Sequence, residues 1–396
     1  VAQALRRKGA EEVVLWPTSD FPTRAREDVR TSACGGWSFR SRGDGFDFGS
    51  HGLDGAGVTV WRRRPAYVLD PERLHPADRR FADTECSVFR RSVLGMIHPR
   101  AFWVNPNDAA GKAGLKTAQL DAAAQVGLMI PDTLVSNNPE AIRAFVAAGP
   151  TVYKPLTPAG WQGEGDTQHL TYTSLVTPQA LSEDDSLIQS PGIYQRVVPK
   201  EYELRITVIG KKVFAAKVHS QETDKGKLDW RRAYDELTFT PHTLPGPIEA
   251  ECLLTLKRLG LVFGCVDMIV TPDGDHVFVE VNESGQFLFV ERYCGLPLLD
   301  AFAELLLQGC AEFTYSGAGS RPGFVSYQDE AFEAEVLQLN ETFRAAHVER
   351  PATLADEREG AELRRLEPEP SSGPATGAEP IPAGVRRRDV GGGQPG

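Results

Sequence analysis

Pro272-Asp-Gly-Asp275 stands between two β-branched runs, Gly264-Cys-Val-Asp-Met-Ile-Val-Thr271 and His276-Val-Phe-Val-Glu-Val-Asn282. Proline pre-sets φ, and Asp-Gly tolerates left-handed backbone, so the chain reverses sharply between two strands. The hairpin decides which side chains meet. Side chains alternate between faces along a strand, so Glu280 and Asn282 share one. A turn centred on Asp273-Gly274 sets Asp267 opposite Glu280. Two carboxylates and an amide then converge, which are the oxygen donors that magnesium takes at about 2.0–2.1 Å. The alternative is a solvated strand face, where polar residues are ordinary. The flanks Phe263–Ile269 and Val277–Val281 are apolar enough for a covered strand, and covered carboxylates repel unless a cation lies between them.

The 396 residues suffice for two or three packed units and a tail. A net charge of −11 speaks against non-specific nucleic-acid binding. The six cysteines include no C-x-x-C pair and read as reduced thiols of a cytoplasmic protein. No apolar run reaches the ~20 residues of a membrane span, and the longest, Leu259–Val270, contains Asp267.

Residues 1–105 read as a small α/β unit, with a helix at Val1–Arg7, a strand at Glu12–Trp16, hairpins over Ser32–Gly57, a strand at Val58–Arg62 and a helix over Pro76–Leu94. The chain opens on a helix, as if a first strand were missing. Residues 106–193 hold a helix from Asp108 to Val126, with Leu115, Ala118, Ala122 and Val126 on one face. A strand at Thr133–Ser136 and a helix over Asn138–Ala148, capped by Asn138 with Pro139 first inside, come next. Strands follow at Val152–Pro155 and Leu170–Ser174. Residues 194–315 open on the last part of a strand, Ile193–Val198. They continue with strands at Tyr202–Ile209 and Val213–His219, a helix at Pro247–Leu259, the hairpin, and a helix at Leu298–Leu307. A helical extension, 316–350, centres on Asp329–Ala346. From Pro351 on, 7 Pro and 8 Gly in 46 residues leave little to bury, so 351–396 is expected to be disordered.

Lys154 ends a strand before Pro155 and is held extended. Gly160, Gly163 and Gly165 follow, a loop able to lend N–H groups to phosphates. It is not a Walker loop, and no G-x-G-x-x-G follows a strand. Lys116 lies in a helix. Each lysine taken alone reads more readily as a surface residue. In Tyr194-Gln-Arg-Val-Val-Pro-Lys-Glu-Tyr-Glu-Leu-Arg205 a connection between strands offers backbone groups to an adenine, with Glu203 near the ribose. Its alternative is a hairpin bearing a weak surface ion pair.

In this order, Lys116, Lys154-Pro-Leu, Gln195-x-Val-x-x-Lys200, Glu203-Leu-Arg205, Asp229-Trp-Arg231, Asp267 and Glu280-x-Asn282-x-x-Gly-Gln286 resemble the ATP-grasp ligases. The similarity is greatest to the microviridin-type graspetide synthetases, which mature ribosomal peptides. Ser19-Asp-Phe-Pro22, Val60-Trp-Arg-Arg-Arg-Pro65 and Trp103-Val-Asn-Pro106 also resemble that subgroup, over roughly residues 1–315. Glu283 and Phe287 depart from it, replacing a usual proline and tryptophan, and the tail has no counterpart.

The resemblance implies an α/β (α+β) ATP-grasp fold. An N-terminal pre-ATP-grasp-like domain would span 1–105, a central subdomain 106–193, and an antiparallel-sheet subdomain with the nucleotide and metal site 194–315. It implies ATP and two magnesium ions, a bacterial cytoplasmic setting and a possible homodimer. Lys116 and Lys154 would contact phosphates. Gln195 and Val198 would line the adenine pocket, and Glu203 would hold the ribose. Asp267, Glu280 and Asn282 would bind metal. Arg205 and Arg231 would attend the γ-phosphate, with Lys217 counted beside them among the catalytic cations. The partner would be a precursor peptide with a leader and an acidic core, met by Arg62, Arg63, Arg64, Lys217 and Arg231. His219 is a candidate base or a structural residue, and the loop at Gly160–Gly165 and the segment Gln221–Leu228 are candidate lids. Two alternatives stay open: a ligase for amino acids or a protein terminus, and a nucleotide-sensing protein without turnover.

Overall fold

The computed structural model describes residues 1–43, 46–51, 55–157, 160–162, 168–170, 173–181, 183–233, 236–315 and 324–348. The expectation of disorder over 351–396 lies outside them. The chain divides into two units, Val1–Asp132 with Val197–Ala352, and Thr133–Arg196 with the undescribed 353–396.

In the first unit, α1 (Ala2–Arg7) buries Ala4 in a cluster with Leu299, Ala303, Val325 and Phe332. No strand forms at Glu12–Trp16. Val14 and Leu15 are exposed, and Val13 and Trp16 are half-buried, Trp16 tilted against Phe39 at 5.2 Å. An alternating run becomes a strand only where neighbours make it fit. β1 (Arg26–Thr31), β2 (Trp37–Gly43) and β3 (Phe46–His51) form an antiparallel meander. β4 (Thr59–Trp61) runs through α2 (Arg79–Met96) to a parallel partner, β5 (Phe102–Val104).

The single helix expected over Asp108–Val126 is two, α3 (Asn107–Ala113) and α4 (Lys116–Ala124). Gly114, a poor helix former by about 1 kcal/mol, ends the first. Leu115 turns extended at φ −84°, ψ 112°. The break rotates the buried face to Gln119, Leu120, Ala122 and Ala123, leaving Leu115 60% exposed.

The second unit holds β6 (Thr133–Ser136), α5 (Pro139–Ala147), β7 (Thr151–Lys154), β8 (Gly160–Gln162), β9 (Gln168–Leu170), β10 (Ser174–Leu175), α6 (Asp184–Gln189) and β11 (Gly192–Arg196). Its sheet runs β10-β7-β11-β6, antiparallel throughout. Asn138 caps α5 as the sequence suggests, accepting from the Glu140 N–H at 3.0 Å. Ile142, Leu181, Leu187 and Tyr194 pack together. The strand expected at Leu170–Ser174 is split between β9, paired with β8, and β10, paired with β7. Gly163 and Gly165 of the expected phosphate loop lie outside the described residues.

The first unit resumes with β12 (Tyr202–Ile209), β13 (Lys212–Val218), β14 (Phe239–His242), α7 (Gly246–Leu259), β15 (Phe263–Val270) and β16 (His276–Asn282). They make an antiparallel sheet in the order β14-β13-β12-β15-β16. α8 (Leu288–Cys294), which the sequence pattern did not reveal, precedes α9 (Leu298–Gln308) and α10 (Glu330–Ala346). One sheet face, with Leu204, Ile206, Val266, Met268 and Phe278, packs on Leu120 of α4 and Cys252, Leu256 and Leu259 of α7. The other sends Phe263 and Phe214 against Trp230, Phe289 and Phe302. Phe263 and Phe302 meet edge-on at 4.9 Å. Full burial of one such side chain stabilises by roughly 1.5–3 kcal/mol. No helix among the described residues is long and apolar enough to cross a membrane.

Candidate active site on the β12-β15-β16 face

The hairpin register decides what this face carries. Val270, Ile269 and Met268 pair with His276, Val277 and Phe278, so the turn centres on Asp273. Its three-residue loop closes with Gly274 at φ +88°, a left-handed position that glycine takes without strain. Beyond Phe278 the register shifts: Asp267 pairs with Glu280 and Cys265 with Asn282, and Val279 is the extra residue of a β-bulge. A bulge changes the phase of every later side chain. In the unbulged register Glu280 would oppose Val266 on the face under α7. With Val279 inserted, Glu280 and Asn282 join Asp267 on the other face.

On that face Arg205 of β12 lies opposite Asp267. Its guanidinium donates to both carboxylate oxygens, at 3.0 and 2.9 Å, and to the Gln286 carbonyl at 2.7 Å. The Asn282 amide donates to Asp267 and Glu280, each at 3.2 Å. Lys116, first residue of α4, pairs with the second Glu280 oxygen. Arg231 forks onto Asp229 with two bonds of 2.7 Å and stands 3.8 Å from Glu280. Asp229, Asp267 and Glu280 are thus set against Lys116, Arg205 and Arg231.

Burial pushes the Asp267 carboxyl above its ordinary value; the Arg205 charge draws it back and the Glu280 charge raises it again. Burial disfavours the Arg205 cation most strongly of any single cause, but the charge and hydrogen bond of Asp267 with the charges of Cys265 and Glu280 together outweigh it, and the pKa ends raised. For Arg231 burial is outweighed by the hydrogen bond and charge of Asp229, with the same result.

The other sequence candidates are distributed as follows. Glu203 sits two residues from Arg205 on the same face, buried, with Lys200 donating to it at 3.0 Å and to the Leu228 carbonyl at 2.9 Å. Burial raises its pKa and Lys200 opposes the shift. Lys217 is not brought to this cluster. It pairs with Leu204, whose other partner is Met268, so the alternation puts it on the α7 face. There its ammonium lies 3.9 Å from the Tyr202 ring centroid. Val198 is half-buried in the connection before β12. Lys154, ending β7, and Gln195 of β11, whose amide donates to Thr133 at 2.9 Å, belong to the second unit. Both His219 nitrogens are engaged, one with Glu222 at 3.1 Å and one with Thr240 at 3.1 Å. Glu283 turns to Arg62, 4.0 Å away, and Arg63 donates to the Ser284 carbonyl at 3.1 Å.

Two buried amides escaped the sequence reading. Asn105 donates to the Phe263 and Glu283 carbonyls, both at 2.8 Å, and accepts from the Val262 and Phe263 N–H groups at 2.8 and 3.0 Å. It ties the start of β15 to the turn after β16. Gln119 of α4 bonds both backbone groups of Val281. Asn105 entered that reading only as part of Trp103-Val-Asn-Pro106 and without a role, and Gln119, standing near Lys116, Thr117 and Asp121, had nothing to single it out.

Among the described residues no group of three His, Cys, Asp or Glu side chains gathers as a metal cage. The donor set is two carboxylates and one amide. That suits magnesium, which is usually held by one or two carboxylates and leaves its other positions to phosphates and water. It does not suit a closed structural metal site.

No family model matches the chain, and no curated protein does. Solved structures do. The macrocyclase MdnC of Microcystis aeruginosa MRC, solved with the precursor peptide MdnA, is 31% identical with a TM-score of 0.68, over 78% of this chain and 95% of that one. A RiPP-associated ATP-grasp ligase of Chryseobacterium gregarium, in complex with ADP and a leader and core peptide, is 26% identical with a TM-score of 0.68, over 78% and 92%. The macrocyclase MdnB of Microcystis aeruginosa MRC is 29% identical with a TM-score of 0.63, over 78% and 94%. The chain belongs to the ATP-grasp ligases, in the branch of graspetide maturases that act on ribosomal peptides.

Proposed function

We propose that this ligase uses ATP and magnesium to activate Asp or Glu side chains of a ribosomal precursor peptide. It joins them to hydroxyls or amines of the same peptide, closing ester or amide rings. The observation that carries this reading is the convergence of Asp267, Glu280 and Asn282 with Lys116, Arg205 and Arg231 on one sheet face. The likeness to MdnC and to the Chryseobacterium ligase supports the peptide substrate and the nucleotide, and does not favour a small-molecule ligase or a nucleotide sensor.

Asp267, Glu280 and Asn282 would hold the metal, in our reading two ions. Bound there, magnesium neutralises phosphate oxygens and stabilises the transferring phosphoryl group. Asn282 would then turn its carbonyl oxygen inward, because an amide nitrogen cannot ligate. With Asp267 and Glu280 committed to metal, Lys116 and the Arg205 nitrogen now on Asp267 would be freed toward anions, and Arg231, still held by Asp229, would keep the nitrogen nearest Glu280 for them, which is what a polyphosphate meeting an acidic side chain requires. Arg205 keeps one buried donor, Nε, without a partner among the described residues. Glu203 would hold the ribose and Val198 and Gln195 the adenine, with Lys154 on the phosphates.

The reaction runs in two steps. A substrate carboxylate oxygen attacks the γ-phosphorus and ADP leaves, giving an acyl phosphate. A hydroxyl or amine then attacks the acyl carbon, loses its proton, and phosphate leaves. Water has to be kept away from the intermediate; Gln221–Leu228, tied at one end by Lys200 to Leu228, is the candidate lid among the described residues.

Incubation with ATP, magnesium and a synthetic acidic peptide bearing Thr, Ser and Lys tests the proposal. Mass spectrometry is expected to show loss of one water per ring, matched by one ADP. ADP formed only with free amino acids, or nucleotide bound without turnover, contradicts it.

A further inference from the structure

β16 is the edge of its sheet; Met129 bridges its outward side at Val277 and accepts the Phe278 N–H at 2.8 Å, and farther along no strand among the described residues pairs with it. At Val281 a side chain takes the place of that strand. Gln119 donates Nε2 to the Val281 carbonyl at 2.9 Å and accepts the Val281 N–H on Oε1 at 3.1 Å. Its second N–H goes to the Ala113 carbonyl at the end of α3, so the amide has no rotational freedom left. Gln119 is 2% exposed.

Val281 lies between Glu280 and Asn282, two residues past the bulge at Val279. Whichever phase Val281 adopts, its neighbours point to the opposite face. On the same helix, three residues before Gln119, Lys116 reaches around the sheet edge to Glu280. Residues three apart share a helix face, so α4 grips the strand and the carboxylate together.

We propose that Gln119 is a positioning residue that holds β16 in its bulged register, keeping Glu280 and Asn282 on the side of Asp267 and thereby setting the affinity for the divalent cation. The inference rests on the metal role proposed above for Glu280 and Asn282. Without the clamp, the segment after Val279 can relax toward the unbulged pairing, in which both donors turn from Asp267. Outer groups that orient metal ligands typically govern about 10–100-fold in metal affinity.

The test is calorimetric titration of the full chain with AMPPNP, once in excess magnesium and once in EDTA, for the wild type and Gln119→Met. Magnesium is expected to tighten binding to the wild type. Gln119→Met should keep its affinity in EDTA and lose about 10–100-fold of the tightening. An undiminished magnesium effect, or an equal loss with and without the metal, overturns the inference and leaves Gln119 merely structural. Gln119→Glu, which keeps the acceptor for the Val281 N–H, serves if the methionine variant does not fold. It should show a smaller loss in the same direction, and wild-type behaviour overturns the inference there too. A wild type indifferent to magnesium removes the metal reading itself, and this inference with it.

Discussion

The two faces of the five-stranded sheet are made by the same strands and differ in almost every physical respect. Under α7 the face is apolar from Val208 to Met268, with Lys217 and Tyr202 at its rim. The other face also packs Ile209, Phe214, Ala216, Val218 and Phe263 on an aromatic cluster, but sets Arg205, Asp267, Glu280 and Asn282 among them. Buried ion pairs are weak sources of stability, since well-packed apolar groups often do as well or better. Arg205 and Asp267 therefore call for an explanation outside stability, and nucleotide chemistry supplies one. The difference between the faces comes down to alternation, and for β16 to one inserted residue.

Asp267→Ala is the hardest blow to this contrast. It leaves the Arg205 guanidinium buried without the carboxylate it forks onto, and a buried charge stripped of its partner costs about 3–5 kcal/mol. Urea denaturation should show a loss of that size, and magnesium-dependent nucleotide binding should vanish. A variant as stable and as magnesium-responsive as the wild type shows that this pair does not set the polar face apart.

Leu256→Ala, on the α7 side, sharpens the contrast from the other direction. It should cost about 2–5 kcal/mol of stability, measured in urea. At a temperature where it stays folded, magnesium-dependent affinity should change less than about twofold, as for independent sites. A large affinity loss means that the faces are not independent.

Acidity separates the faces more gently. Burial raises the Asp267 pKa in the folded chain. A carboxyl so raised favours folding while protonated, below its unfolded pKa, and that contribution is lost as pH rises through the folded value. Metal binding demands the ionised form. The thermal stabilisation by magnesium and nucleotide should therefore grow with pH from the ordinary carboxylate range upward, until Asp267 is ionised. A stabilisation flat across that range contradicts a metal role for Asp267. The smallest effect expected is that of Lys217→Met, which alters the α7-face rim and should leave turnover within about twofold. A hundredfold loss returns Lys217 to the reaction centre.

Much of this was legible in the sequence, sometimes for an incomplete reason. A turn centred on Asp273-Gly274 pairs Asp267 with Glu280, and they do pair. The turn in fact centres on Asp273, and the bulge makes up the missing residue. Val279 is as suited to a strand as its neighbours, so nothing in its identity betrays the bulge. Asn138 was readable as a cap because its chemistry is local. Residues 12–16 were not, because there tertiary neighbours decide what a pattern becomes, and the break at Leu115 follows Gly114, whose poor helix propensity the apolar spacing on either side masked. Lys217 was grouped with the arginines by type. Its face depends on the β12-β13 register, which composition does not carry.

The central claim is that Asp267, Glu280 and Asn282 together hold the metal that presents the nucleotide. Its most direct test is the binding of AMPPNP, with magnesium and with EDTA, to the wild type and to the double variant Glu280→Gln, Asn282→Ala. Tightening by magnesium in the wild type, and its disappearance in a double variant that unfolds as cooperatively as its parent, is the predicted result. A double variant that tightens as much as the wild type contradicts the account.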